Sequence, residues 1–158
     1  MINNRIIVCG IVCNNNEVLL GKKAKGVSPY PDVLHTLGGG VKDFDKAKQL
    51  LLCDNYNNSY FFDELKRELH EEANIKISNP LNICPKYQKN PREAIAKDKN
   101  GIETHYIFLE YVCNLDSLCT DIRPGDDIAE LQWVKKINLK NIKLTPPSLE
   151  MYKELGWI

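Results

Sequence analysis

The sequence has no long apolar run, no excess of charge of either sign and no closely spaced cysteine pair. Because a helix that crosses a bilayer needs about 20 mostly apolar residues, we expect no membrane span. Lys and Arg total 21, as do Asp and Glu, and this zero net charge disfavours a protein that binds nucleic acid mainly through its phosphates. Charged residues at 27% and apolar residues at 43% are typical of a folded domain and exclude wholesale disorder.

The cysteines are scattered along the chain and form no metal-binding or redox pair. Most of them lie in apolar, strand-like segments, so we interpret them as buried reduced thiols and expect no zinc site. The first residues carry a single Arg and a short apolar run broken by Gly10, which we interpret as a strand and not as a signal peptide. These features together predict a cytoplasmic protein. The cysteines are Cys9, Cys13, Cys53, Cys84, Cys113 and Cys119.

The first part of the chain is predicted to form three strands that lead to a glycine triplet. Residues 5–13 and 17–23 are apolar and rich in β-branched side chains, and Asn14-Asn15-Asn16 between them predicts a hairpin turn. A third short strand is predicted over 33–37, directly before Gly38-Gly39-Gly40. Three glycines after a strand permit unusual backbone angles and a close approach of the main chain to a ligand.

The strongest helix pattern covers residues 59–73. Asn58 or Ser59 supplies an N-cap, and Asn74 follows the last turn, where a left-handed residue is common and Asn substitutes for Gly. A shorter helix is predicted over 44–53. The apolar residues that recur at helical spacing and form the predicted buried stripe are Phe61, Leu65 and Leu69.

The second half of the chain continues with strands, a long polar loop and a final helix. The loop is predicted over 88–103, a later strand ends near Trp133-Val134, and the helix begins at Pro146. Strands interleaved with a few helices predict a single α+β (mixed α/β) domain over residues 1–158. The other predicted strands are 75–77, 81–87 and 104–113.

Four carboxylates share one face of the long predicted helix. Residues three or four apart lie on the same side of a helix, so Glu68 lies beside Glu71 and Glu72, and Glu64 lies one turn earlier. Such a cluster repels itself unless a cation neutralises it, and hard divalent ions prefer oxygen ligands. Arg67 stands three residues from Glu64 and four from Glu71, so it can hold carboxylates from the side. The alternative interpretation of this face is ordinary solvated surface.

The segment from Arg67 to Ile75 resembles the second half of the signature of the Nudix hydrolase family. That signature runs G-x5-E-x7-R-E-U-x-E-E-x-G-U, where U is apolar, and the segment departs from it only by Asn74 in place of Gly. Because Asn tolerates the left-handed conformation, we expect little effect. Leu37-Gly38-Gly39 resembles the glycine pair of the first half, and Asp45 stands where the family has Glu.

An insertion separates the two halves of the signature. Between Asp45 and Arg67 lie 21 residues, whereas the signature has seven, which places an insertion at about 46–59. Loop-closure entropy grows slowly with length, so an insertion whose ends stay close together is thermodynamically tolerable. The remaining pattern also fits the family, since Glu130-x-x-Trp133 resembles its acidic-to-Trp strand near the C-terminus.

The resemblance implies both a fold and a chemistry. The implied fold is an α/β/α sandwich with a mixed central sheet, a catalytic helix and a C-terminal helix. The implied activity is hydrolysis of the diphosphate linkage in a nucleoside diphosphate derivative, assisted by Mg²⁺ or Mn²⁺. It implies that Glu68, Glu71 and Glu72 ligate metal, that the main-chain carbonyl of Gly38 completes the set, and that Arg67 orients the carboxylates.

The resemblance leaves the general base open, because in this family its position varies. We expect Glu68 first, then Asp127 and Glu130. The basic residues of the predicted loop are candidate contacts for substrate phosphates, and an aromatic ring can stack on a base. The expected catalytic residues are Glu68, Arg67, Glu71, Asp127 and Glu130. The expected substrate-binding residues are Gly39, Arg92, Lys97 and Tyr106.

The substrate and the assembly state are not determined by the signature. A nucleotide sugar, ADP-ribose and a nucleoside triphosphate all remain open as small-molecule substrates, and both a monomer and a homodimer are compatible with the family. The alternative function is a non-catalytic Nudix-fold module that binds a nucleotide. The interrupted signature favours that alternative, whereas the intact set from Arg67 to Glu72 favours a hydrolase.

Overall fold

The computed structural model describes residues 3–26, 30, 32–53, 58–77, 82–83, 91–97, 100–115 and 119–158. None of the helices in these ranges is long and apolar enough to cross a membrane. A 3-10 helix follows the last strand at Lys136–Asn141. The elements are β1 (Asn3–Asn14), β2 (Glu17–Lys23), β3 (Leu34–Gly40), α1 (Phe44–Leu52), α2 (Ser59–Ala73), β4 (Asn82–Ile83), β5 (Arg92–Lys97), β6 (Glu103–Asn114), β7 (Ile128–Lys135) and α3 (Pro146–Glu154).

The described strands form one mixed sheet in the order β4-β6-β1-β3-β2-β7, with β5 pairing β6 next to β4. Strands β1 and β6 run parallel, and the other pairings between the named strands are antiparallel. The predicted hairpin is confirmed at its turn, where Cys13 pairs with Val18 and Asn14 with Glu17. Beyond the turn its strands separate, and β3 inserts between them. The glycine triplet that ends β3 is therefore held inside the sheet.

Helices cover both faces of the sheet. Alternate residues of β1 point to opposite sides, as a strand requires. Ile6, Val8 and Val12 belong to one core cluster with α2, whereas Ile11 and Cys13 belong to a second cluster with α3. The predicted α+β sandwich with a mixed central sheet is thus confirmed. On one of the two faces, α2 packs over the glycine-containing strand β3.

The prediction of a strand over 75–77 is wrong. Ile75 is buried, but its N–H donates to the carbonyl oxygen of Leu69 and so continues the cap of α2 instead of joining the sheet. The apolar residues at 75 and 77 therefore indicated burial and not a strand. Of the strand predicted over 81–87, the structure describes Asn82–Ile83, which pair with β6, and the remainder lies outside the described residues.

The prediction of a continuous loop over 88–103 is also wrong, because residues Arg92–Lys97 form β5. The strand lies at a sheet edge, with Arg92 buried and Glu93, Ile95 and Lys97 exposed. An edge strand that faces solvent on one side carries charged residues, and that composition resembles a loop. Pro91 and Gly101, which suggested a loop, flank the strand instead of interrupting it.

Candidate active site

Helix α2 is fixed at both ends by asparagine residues. The side-chain oxygen of Asn58 accepts a hydrogen bond from the N–H of Tyr60 at 2.7 Å, which caps the first turn. Asn74 adopts the left-handed conformation at φ 53°, and its N–H donates to the carbonyl oxygen of His70. Its side-chain amide also donates to the carbonyl oxygen of Asp121 at 2.8 Å, a contact that glycine could not make. Asn74 in place of the signature glycine therefore preserves the turn and adds a hydrogen bond to Asp121.

The glycine strand meets α2 through two buried carboxylates. The N–H of Gly38 donates to Oε2 of Glu72 at 2.8 Å. At Gly39 a Cβ would lie 2.3 Å from Oε2 of Glu68, so only glycine leaves room for that carboxylate. Gly38 itself has φ of +144°, a conformation that other residues rarely adopt. The glycines are thus required where Glu68 and Glu72 approach the main chain of β3.

Arg67 lies in the middle of the carboxylate face. Its Nη1 lies 2.7 Å from Oε1 of Glu68 and 3.0 Å from Oε2 of Glu71. Its Nη2 lies 3.0 Å from Oε2 of Glu64 and donates to the carbonyl oxygen of Gly40 at 3.3 Å. One guanidinium therefore balances three carboxylates and ties them to β3. This is the arrangement that the spacing of the four residues predicts.

The chain leaves β3 and enters α2 at neighbouring points. The N–H of Asp43 donates to Oη of Tyr60 at 3.1 Å, and that hydroxyl donates back to the Asp43 carbonyl oxygen. The N–H of Lys42 donates to Oε2 of Glu64 at 2.8 Å. Because Tyr60 and Glu64 lie near the start of α2, these bonds hold the two halves of the signature together across the intervening segment.

Glu64 contacts Arg67, as their spacing predicts, whereas Asp45 stands at the Glu position of the signature. Asp45 lies exposed in the first turn of α1, which the side chain of Asp43 caps. Glu64 is on α2, one turn before Arg67. The carboxylate that reaches Arg67 on this side therefore belongs to α2 itself, and Asp45 belongs to the separate helix α1.

Burial makes two of these carboxylates hold protons unusually well. Burial raises the pKa of Glu72 to about 8, opposed by the Gly38 N–H and reinforced by Glu68 and Asp127. Burial also raises the pKa of Glu68 above its usual range, although Arg67 opposes this. In both cases the charged form is disfavoured because water is excluded and negative charges are close together. A bound cation would relieve that penalty.

The segment before β7 packs against the C-terminal end of α2. The N–H of Arg123 donates to the carbonyl oxygen of Ala73 at 3.1 Å, and the N–H of Gly125 donates to that of Glu72 at 3.0 Å. A Cβ at Gly125 would lie 2.3 Å from the carbonyl oxygen of Glu71, so the approach requires glycine. These bonds satisfy carbonyl groups at the helix end and bring the following acidic turn to the site.

The two other base candidates lie on or beside β7. Asp127 lies 3.7 Å from Nζ of Lys23 and is close enough to Glu72 to raise its pKa. Glu130 lies 3.7 Å from Nζ of Lys22 and is exposed. The structure therefore brings Asp127 to the buried carboxylates, whereas Glu130 pairs across the outer strands β2 and β7.

Lys23 and His35 adjoin the acidic site, and sequence reasoning missed Lys23. The ammonium of Lys23 approaches Asp127 because β2 pairs with β7, a pairing that no local pattern reveals. His35 is buried, and its Nδ1 lies 2.8 Å from the carbonyl oxygen of Thr36. Burial lowers the pKa of His35, and its Nε2 has no hydrogen-bond partner among the described residues. The neutral ring is therefore an available acceptor beside Asp127.

Arg92 lies on the opposite face of the sheet from α2. Its guanidinium contacts the buried carboxylate of Glu110, lies 3.3 Å from Oε2 of Glu150, and covers the ring of Phe108 at 4.4 Å. The side chain is 7% exposed. We expected Arg92 to contact substrate phosphates, but its guanidinium already has two carboxylate partners and one of them is buried.

Tyr106 and Lys97 lie away from the glycine strand. The Tyr106 ring stacks on that of Phe108 with centroids 5.9 Å apart, and Lys97 is exposed at the end of β5. Strands β6 and β1 separate β5 from β3, a span of about 14 Å at the usual strand spacing. The structure thus brings Gly39 to the carboxylates, but it places Lys97 at the far edge of the sheet.

The donor set fits a hard divalent cation. Glu68, Glu71 and Glu72 offer carboxylate oxygens, which Mg²⁺ and Mn²⁺ prefer, and the first and last of these are buried with raised pKa. In the described ranges, no three acidic, His or Cys side chains already surround one point. Arg67 contacts Glu68 and Glu71, and the N–H of Gly38 donates to Glu72. A cation would therefore share Glu68 and Glu71 with Arg67.

Comparison with known proteins agrees with this geometry. No family model matches the chain. The nucleoside triphosphatase NudI of Klebsiella pneumoniae is 26% identical over 141 residues, which span 89% of this chain and 88% of that protein. A MutT NUDIX hydrolase from Burkholderia pseudomallei superposes with a TM-score of 0.64 at 15% identity, covering 97% of this chain and 98% of the other.

A further solved structure shows the same fold. The NUDIX domain of Shewanella oneidensis NrtR, complexed with ADP ribose, superposes with a TM-score of 0.65 at 11% identity, covering 97% of this chain and 86% of that one. At such low identity the structural similarity concerns the fold. The Arg67–Glu72 motif, the sandwich fold and the similarity to NudI together support the assignment of the chain to the Nudix family.

Proposed function

We propose that the chain is a metal-dependent pyrophosphohydrolase that cleaves the diphosphate linkage of a nucleoside diphosphate derivative. The observation that carries the proposal is the fit of α2 to β3. Buried Glu72 bonds the main chain of Gly38, and buried Glu68 occupies the space that a side chain at Gly39 would fill. A solvated acidic surface would need neither the burial nor the glycines.

The protein groups have distinct tasks in this proposal. A divalent cation, Mg²⁺ or Mn²⁺, would be held by Glu68, Glu71, Glu72 and the carbonyl of Gly38, and would polarise the phosphoryl oxygens. Water attacks phosphorus, the bridging P–O bond breaks, and the leaving phosphate group takes the electron pair. Arg67 orients the carboxylates from the side.

The proton of the attacking water needs an acceptor at the site. Glu68 is our first candidate, because it lies over the glycine strand and burial raises its pKa toward the value that proton transfer requires. Asp127 follows, because it stands beside Glu72 and pairs with Lys23. Glu130 comes third, since it is exposed on β7.

We infer that the substrate is a small nucleotide. Because NudI is a nucleoside triphosphatase, nucleoside triphosphates are the first class to test, followed by ADP-ribose, which the NrtR domain binds, and nucleotide sugars. We also infer that residues 1–158 act as one domain in the cytoplasm. The five described cysteines are all free thiols, as a reducing compartment would keep them.

A turnover screen tests the proposal. The protein is incubated with each substrate class in Mg²⁺, in Mn²⁺ or in EDTA, in water enriched in ¹⁸O, and products are resolved by mass. We expect cleavage in the presence of either cation, none in EDTA, and one labelled oxygen in a phosphate product. Binding of a nucleotide without turnover in any of these conditions would instead support the non-catalytic binding module.

The glycine strand provides a matched pair of variants. We expect Gly39→Ala to fold normally but to lose about 100-fold in kcat, because the new methyl group displaces the carboxylate of Glu68 by about 1 Å. Gly38→Ala should instead lower the free energy of unfolding, because its Cβ would lie 2.1 Å from the carbonyl oxygen of Val8 in a left-handed conformation.

Denaturant unfolding and kcat, measured on both variants, separate these effects. A Gly39→Ala enzyme with wild-type turnover would show that the position of Glu68 does not matter for the reaction. A Gly38→Ala protein with wild-type stability would show that β3 can move away from β1 without cost.

A further inference from the structure

Strand β5 forms an edge of the sheet. It pairs with β6 in an uninterrupted register from Arg92↔Phe108 to Lys97↔Glu103, and no other described strand pairs with it. Proteins commonly protect such edges with a proline or a bulge inside the strand, and β5 has neither. In the part of the chain that the structure describes, its outward N–H and C=O groups are therefore a template for another strand.

The exposed side chains of β5 follow a self-complementary pattern. Glu93, Ile95 and Lys97 alternate along the strand and so share one face. Ile95 is 64% exposed, which leaves a β-branched apolar side chain open to solvent in the middle of an edge strand. An acidic residue stands two positions before it and a basic residue two positions after it.

We propose that β5 pairs antiparallel with β5 of a second copy of this chain, around a two-fold axis at Ile95. In this register Ile95 packs on its own copy, and Glu93 of each chain lies opposite Lys97 of the other. On the other face Ala94 lies opposite Ala96, and small side chains there let the strands approach. Directly opposed apolar and opposite-charge pairs are the combinations that stabilise sheets.

The neighbouring registers lack this complementarity. In an antiparallel pair, residues that lie opposite each other point to the same face of the sheet. The nearest alternative registers therefore place the two-fold axis at Ala94 or at Ala96. An axis at Ala94 places Glu93 opposite Ile95, and an axis at Ala96 places Ile95 opposite Lys97. Either shift sets a charge against an isoleucine, so the axis at Ile95 is selected.

This assembly goes beyond the proposed hydrolysis and does not depend on it. The pairing joins two sheets at β5, which lies on the side of β6 away from β1. The carboxylates of α2 lie over β3, on the other side of β1. The dimer can therefore form with or without metal, and its disruption by Glu93→Lys or Ile95→Glu should leave kcat unchanged.

Two opposite charge reversals provide the test. Glu93→Lys gives two like-charged positive pairs in the dimer, and Lys97→Glu gives two negative ones. When the two variants are mixed, one interface combines the introduced lysine with the introduced glutamate and the native Lys97 with the native Glu93. Sedimentation equilibrium of the intact protein from about 1 μM to about 1 mM measures each dissociation constant.

We expect the wild-type chain to dimerise with rising concentration, each variant alone to raise the dissociation constant about tenfold, and the mixture to restore it. Ile95→Glu should also weaken the dimer, whereas Ile137→Glu, at an isoleucine that is 73% exposed on the 3-10 helix, should not. Circular dichroism checks that each variant folds. A monomeric wild type, or a mixture that is no tighter than its separate components, would overturn the proposal.

Discussion

Replacing Glu72 by Gln should reduce kcat at least about 100-fold while leaving the protein folded. The charge that a cation needs at this position is lost, but the amide oxygen of Gln can still accept the hydrogen bond from the N–H of Gly38. The side chain keeps its size, so the buried space at the end of α2 stays filled. In EDTA at pH 8 or above, the variant should even be more stable than the wild type, because it carries no buried charge.

A matched variant on the same helix controls for charge alone. Asp63→Asn removes one negative charge from an exposed position on α2, and Asp63 is not one of the three carboxylates that Arg67 contacts among the described residues. Its kcat, and the Mg²⁺ concentration that gives half-maximal turnover, should equal those of the wild type. If Glu72→Gln retained wild-type turnover at saturating Mg²⁺, Glu72 could not be a required metal ligand, and the site would have to be rebuilt around Glu68 and Asp127.

Helix α2 was predictable because both of its ends are encoded locally. Asn58 marks the start through a side-chain hydrogen bond to the next turn, and Asn74 marks the end through its left-handed backbone. Between them the acidic face follows from helical geometry, which fixes the spacing of Glu68, Arg67 and Glu72 without reference to the rest of the fold. The candidate site could therefore be named before any tertiary structure was known.

The burial of these carboxylates was not predictable from the helix. It depends on β3 lying between β1 and β2, which places Gly38 and Gly39 against Glu72 and Glu68. That arrangement is a property of the sheet, whereas the sequence suggests only a simple hairpin. The same limitation concealed Lys23, which reaches the site only because β2 pairs with β7.

The strand β5 was missed for a different physical reason. Edge strands bury few side chains, so the alternation that identifies a strand is weak when the exposed positions carry charges and the others carry alanine. Arg92 compounds the problem, since a buried arginine paired with Glu110 has the sequence signal of a surface residue. A charged residue in a sequence therefore predicts solvent exposure only when no buried partner of opposite charge is available to it.

Without metal, the free energy of unfolding should fall as the pH rises from about 5 to about 9. The pKa of Glu72 is raised in the folded state, so between its unfolded value and about 8 the native protein holds a proton that the unfolded chain has lost. The stability that this group contributes is complete below the unfolded pKa and is lost as the pH rises through the folded pKa. One pKa unit corresponds to about 1.4 kcal/mol, so the loss is on the order of 5 kcal/mol.

Urea unfolding of the wild type and of Glu72→Gln in EDTA across this pH range isolates the effect. His35, whose pKa burial lowers, acts in the opposite direction, since its contribution is lost as the pH falls below its unfolded value. That term is common to both proteins and cancels in their difference. The difference should grow with pH in favour of the variant, and saturating Mg²⁺ should reverse it, because the cation then supplies the charge that the proton supplied. Parallel stability curves would mean that Glu72 titrates normally and that its burial imposes no penalty for metal to relieve.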